Sequence, residues 1–131
     1  MSTRWSEKDL YLLGSSASID IKLVSELSPD ESRHVIRGLW DSRGFIGLNL
    51  GGYPVTSLVV DSLDLAFWIS EHIRAVVGRY IPPRNLKSGL IWVGVSGRKC
   101  LPWLRYIYDQ SNFVSADKFS KAKELISILE Q

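Results

Sequence analysis

Apolar side chains recur every three or four residues in four stretches of the chain and crowd into short β-rich runs in three others. The changes of period fall at Gly, Pro and Ser, where helices and strands begin and end. Val35, Ile36, Leu39 and Trp40 fall on one side of a helix expected from about Pro29 to Asp41, with Arg33 and Arg37 on its polar side. Ser28 can accept from the backbone N–H at the third helical position while Glu31 reaches back, and Pro29 fits the first turn because its missing donor would be unpaired there. Gly44 is the expected stop. Phe45 to Leu50 and Tyr53 to Asp61 read as antiparallel strands joined by the two-residue link Gly51-Gly52. A second helix carries Leu65, Ile69, Ile73, Val76 and Val77, entered at Asp61-Ser62 and ended by Gly78. Pro82-Pro83 then breaks the chain. Gly89 to Ser96 reads as a strand with an irregular partner near Ile81 to Lys87, and a third helix runs to Tyr108 with Pro102 in its first turn. Ser115 caps a last helix striped by Phe119, Ala122, Ile126 and Leu129. Leu10 to Leu27 is ambiguous, with a helical or strand-like stretch in Ile19 to Val24.

The order is that of an α+β protein, with residues 28–131 as one domain and 1–27 as an N-terminal segment of unassigned structure. A chain of 131 residues, 45% hydrophobic and 11% aromatic, supports one ordinary core and not two. Lys and Arg number 16 against 14 Asp and Glu, a net +2 that by itself barely favours a nucleic-acid partner. The single cysteine, Cys100, excludes an internal disulfide and cannot alone hold a structural zinc, which makes a reducing cytoplasm the expected location. No apolar run approaches the roughly 18 to 20 residues that cross a bilayer, and Met1 to Asp9 is polar, so neither a membrane partner nor export is expected.

The run Ile36-Arg37-Gly38-Leu39-Trp40-Asp41-Ser42-Arg43-Gly44-Phe45-Ile46 places a small residue within a helix and an acid near its end, then a glycine and an apolar pair that open a strand. Downstream follow Trp92-Val93-Gly94-Val95-Ser96-Gly97, Trp103-Leu104-Arg105-Tyr106-Ile107-Tyr108 and Lys118-Phe119. In this order, over about Ser28 to Gln131, the chain resembles a LAGLIDADG domain of the homing-endonuclease type. The resemblance implies an αββαββα core with a saddle-shaped antiparallel sheet, here with an extra C-terminal helix. It also implies that Gly38, with Leu39 and Asp41, packs against a second copy in a homodimer whose sheets straddle duplex DNA. Taken alone, Gly38 reads as one more tolerated helix glycine. If Leu10 to Leu27 is a worn first half, the chain is instead a degenerate monomer.

In cleaving members of the family the second acid of the turn binds a divalent metal, and that position here is Arg43, which cannot ligate one. Asp41 matches the first, more structural acid. The resemblance therefore implies nucleic-acid binding without cleavage and without a cofactor. The alternative is an active endonuclease that uses Asp41 or a backbone carbonyl and needs Mg²⁺. Phosphates would meet Arg43, Arg98, Lys99 and Lys118.

The first two strands hold no Lys or Arg, and their outward residues read as Gly47, Asn49, Thr56 and Ser57, which suits duplex reading poorly. Asn49 and Thr56, with Trp92 and Tyr53, could instead line a groove for a nucleotide-like small ligand or a partner peptide, though Trp92 and Tyr53 also fit plain packing. His34 and His72 read as ordinary helix-flank histidines, Cys100 as buried and inert despite Arg98 and Lys99 beside it, and Lys118, Lys121 and Lys123 as a stripe that a solvated helix face explains equally well. No phosphate-binding loop or dinucleotide glycine fingerprint is present, so ATP and dinucleotide chemistry have no support.

Overall fold

The computed structural model describes residues 5–131, so residues 1–4 of the N-terminal segment lie outside it. Its elements are α1 (Glu7–Ser15), α2 (Ile21–Val24), α3 (Pro29–Arg43), β1 (Phe45–Leu48), β2 (Pro54–Val60), α4 (Leu63–Val77), β3 (Arg84–Asn85), β4 (Ile91–Ser96), α5 (Cys100–Tyr108) and α6 (Ala116–Leu129). A 3₁₀ turn, Gly97–Lys99, leads into α5. The four strands form one antiparallel sheet of order β1-β2-β4-β3, and no described helix is long and apolar enough to cross a membrane.

Helix α3 is the centre of the molecule. Ser28 accepts from the Glu31 N–H and Glu31 accepts from the Ser28 N–H, so two orphan donors are satisfied at its start. Its residues from His34 to Trp40 are all buried. Arg37, expected on the polar side, has no exposed surface, because that side is covered by α1 and by the segment after α5. The helix continues two residues past Asp41 and stops at Gly44 in extended backbone, φ −84°. The glycine is needed there for space: a Cβ would stand 2.8 Å from Trp40.

The ambiguous segment is helical. Ser6 and Asp9 form a reciprocal capping box at the start of α1, and Leu10 packs with Val24 and Val35. Two glycines set how closely α1 lies on α3. A Cβ on Gly38 would come within 2.1 Å of the Tyr11 carbonyl oxygen, and one on Gly14 within 1.9 Å of that of Val35. The helices thus meet backbone to backbone.

The hairpin differs from a two-residue turn. β1 ends at Leu48, and Asn49 and Tyr53 close a loop of Leu50 to Gly52, with the Asn49 N–H donating to the Tyr53 carbonyl at 2.8 Å. Gly52 takes φ +79°, which a side chain would resist. Gly78 ends α4 at φ +80°, and Pro102 sits in the first turn of α5, both as the sequence predicts.

Register assigns the two faces of the sheet. Ile46 lies opposite Thr56 and Thr56 opposite Val95, while Leu58 pairs with Val93 and Val60 with Ile91. This face is buried and belongs to the main core with Trp40, Ile69, Trp103 and Leu125 from α3, α4, α5 and α6. Phe45, Ser57, Val59, Trp92 and Gly94 share the opposite face. On that face Phe45 and Val59 remain exposed, while Ser57 and Gly94 are buried.

Candidate functional site

Two places collect the sequence-predicted residues. The first is the C-terminal end of α3. Asp41 accepts from the hydroxyls of Tyr11 and Tyr108 and from the Ser115 N–H, each at 2.6 Å. Burial and the neighbouring carboxylate push both tyrosine hydroxyls above the ordinary phenol range, so they stay protonated donors. Lys118 reaches back from α6 and donates to the carbonyls of Trp40 and Asp41, at 3.2 and 3.3 Å, which satisfies the helix end and complements its dipole. Arg43 turns toward α1 and donates to the Ser16 carbonyl at 2.7 Å. The arrangement holds α1, α3, α5 and α6 together, and both carboxylate oxygens of Asp41 are already engaged by neutral donors.

Beside it, Arg37 donates to the carbonyls of Ile107 and Phe113 and pairs with Glu7 at 3.0 Å, and its guanidinium lies over the Tyr11 ring. Burial alone would raise the Glu7 carboxyl. The bonds from the Asn112 backbone and side chain and the charge of Arg37 outweigh it and hold the group below its usual value. Gly38, Leu39 and Asp41, expected at an interface between copies, all make contacts within the chain: Gly38 with α1, Leu39 in the core, Asp41 in this network.

The second place is the sheet. Thr56, expected to face outward, is fully buried: it accepts from the Trp40 indole N–H at 2.7 Å and donates to the Phe45 carbonyl. Asn49 sits at the hairpin tip, where its side-chain oxygen accepts from the N–H groups of Gly51 and Tyr53. Trp92 does face outward, with the Arg84 guanidinium 4.7 Å from its ring centroid. Arg98 is directed away from Trp92 and donates to the Leu129 carbonyl at the end of α6. Cys100 is buried, and burial pushes its thiol up to about 11, as an inert cysteine requires.

An open cavity of about 310 Å³ lies where β3 ends after two residues and leaves the outer edge of β4 without a strand beside it. Arg79, Tyr80, Trp92, Ser96 and Lys99 line it. Lys99 is the one cation named from the sequence that reaches this place. Arg79, Arg84 and Tyr80 were not singled out, yet the chain carries a signal for them: between Glu71 and Asp109 stand seven Lys and Arg and not one carboxylate. Of these, Arg74 pairs with Glu71 and Arg105 with Glu130. Among the described residues Arg79, Arg84, Lys87 and Lys99 form no ion pair. A second cavity, about 410 Å³ between α5 and α6, has Arg105 already matched to Glu130 and Lys123 lying over Phe119. No protein-family model, no curated protein and no solved structure matches the chain.

Proposed function

We propose that the chain is a nucleic-acid-binding domain of LAGLIDADG-like build that does not cut its ligand. The observation that carries the reading is the unpaired cationic border of the open sheet face, where Arg79 and Lys99 share a cavity with Trp92 and Arg84 lies over the indole. Polyanion binding needs cations free of carboxylate partners, and aromatic faces beside them add stacking. The LAGLIDADG-like build is supported by the succession of α3, the β1–β2 hairpin, α4, the β3–β4 pair and α5, and by the glycine contact of α3. In this reading α1 stands where a second copy of the motif helix would pack, so one chain suffices. The absence of cleavage is supported by Arg43 at the metal-binding position and by the three hydrogen bonds that already engage both carboxylate oxygens of Asp41.

The test is a salt titration of binding to labelled oligonucleotides, single-stranded and duplex. Affinity for at least one of them should fall with salt at a log–log slope of about −0.7 to −0.9 per phosphate contact, and Arg79→Ala with Lys99→Ala should shallow that slope. Incubation with Mg²⁺ or Mn²⁺ should leave the bound strands intact. No binding to either form at about 50 mM salt, a condition that favours phosphate contacts, would remove the reading. Metal-dependent cleavage abolished by Asp41→Asn would restore the endonuclease alternative.

A further inference from the structure

The side chains of the open face decide which form of nucleic acid it suits. β1, β2 and β4 hold no charged or amide side chain. Reading a duplex requires several long polar or basic side chains that reach base edges in a groove, and this face offers one, Arg84, whose guanidinium already lies on the Trp92 ring. It offers planes instead. Phe45 is 48% exposed at one side of the sheet, and Trp92 with its Arg84 partner forms a guanidinium–indole stack at the other.

Between these platforms the floor is low. Phe45 lies opposite Ser57 and Ser57 opposite Gly94, and Trp92 is two residues along β4 from Gly94. Strand spacing and rise put the two platforms about 10 Å apart across the sheet and about 7 Å apart along it, a span for extended nucleotides rather than stacked base pairs. Gly94 keeps β2 and β4 close, since a Cβ there would come within 2.4 Å of the Thr56 carbonyl oxygen. The free cations border only the Trp92 side: Arg79 and Lys99 in the cavity, Arg84 on the indole, and Lys87 in the link from β3 to β4. A backbone can run along that border while its bases lie inward on the sheet.

We propose that the open sheet face binds a single-stranded polynucleotide, with one base on the Arg84–Trp92 stack, another toward Phe45, and phosphates held by Arg79 and Lys99. This rests on the nucleic-acid reading above and narrows it. Unpaired bases expose π-faces that aromatic rings and guanidinium planes can cover without regard to sequence, and a duplex keeps those faces inside its stack.

Fluorescence anisotropy of the full chain with labelled oligo(dT) and oligo(rU) of about 12 nucleotides, a length within the range such sheets accommodate, and with a hairpin duplex of equal length, tests it. Either single strand should bind about tenfold or more tightly than the duplex, and the ratio between the two identifies the preferred sugar. Trp92→Ala should weaken single-strand binding about tenfold, and Trp92→Phe should keep most of it. Arg84→Ala, at an exposed position that carries no core contact, should weaken it as well without lowering the melting temperature. Equal or tighter duplex binding would overturn the inference and leave the nucleic-acid reading standing. Single-strand affinity unchanged by both Trp92→Ala and Arg84→Ala would also overturn it. No binding to any of the three probes at about 50 mM salt would overturn both.

Discussion

A guanidinium with no exposed surface must be matched on every side, and Arg37 is matched by two carbonyls, the Glu7 carboxylate and the Tyr11 ring. Removing it would leave the Ile107 and Phe113 carbonyls without the guanidinium and Glu7 with only its Asn112 bonds and no counter-charge, and breaking a buried pair in this way costs about 3–5 kcal/mol. Arg37→Ala should therefore lower the stability measured by urea denaturation by about that amount, and Glu7→Gln by less, because Glu7 keeps some exposure. A loss under about 1 kcal/mol for Arg37→Ala, the size of an ordinary surface ion pair, would show that the charge is not confined as described. At this scale the sequence misleads in identifiable ways. Arg37 shares a helix side with Arg33, and nothing in helical spacing reveals that a second layer lies over that side. Thr56 and Ser57 are neighbours in one strand, so only one can face outward. Their hydroxyls look alike in sequence, and only the pairing of Ile46 with Thr56 decides which.

At the scale of elements, the informative contact is that of α1 on α3. An alanine in place of a helix glycine ordinarily gains about 1 kcal/mol of helix propensity. At Gly14 or Gly38 the added Cβ would meet a carbonyl oxygen of the facing helix at about half a normal contact distance, so the helices would have to separate. Gly38→Ala should give a net destabilisation of about 1–3 kcal/mol, the range for overpacking, together with faster proteolysis in the segment before Ser28. Its mass by light scattering should match the parent's, because the contact lies within one chain. An increase in stability would show that the helices do not meet there. α3, the hairpin strands, α4, β4 and α6 were legible because caps, periods and breakers agree along them. α1 was not, although Ser6 and Asp9 carry its capping box, because Leu10 to Leu13 run together without a helical period and the contact side is completed by Gly14. A glycine that serves as a contact surface carries no hydrophobic signal.

For the molecule as a whole, the candidate site was half legible: Trp92 and Lys99 were named, while the charge separation that frames them was hidden in the total. The stretch between Glu71 and Asp109 contributes seven cations, and the rest of the chain, those two acids included, carries nine Lys and Arg against all fourteen acids, so a net charge of +2 averages a basic border with an acidic remainder. Charge also sets how stability depends on pH. Burial disfavours the charged form of both His34 and His72. At His34 the guanidiniums of Arg37 and Arg33 add to that, against the weaker pull of Glu7 and Asp30. Both imidazoles therefore titrate below their ordinary value of 6.5 in the folded chain. Near that pH the unfolded chain binds protons that the folded chain refuses, so their contribution is complete above about 6.5 and is lost as pH falls below it. Glu7, held below 4.5, adds a later loss, because its favourable pairing is complete above that value and disappears as the carboxylate is protonated at lower pH. The urea midpoint should thus be level from about pH 8 to 7, decline as pH drops through about 6.5 and decline again below about 4.5. His34→Gln with His72→Gln should flatten the first decline and leave the second, and Glu7→Gln should do the reverse. A midpoint that rises between about pH 7 and 5.5 would mean that the imidazolium forms are favoured in the fold, which the burial of His34 beside two guanidiniums forbids.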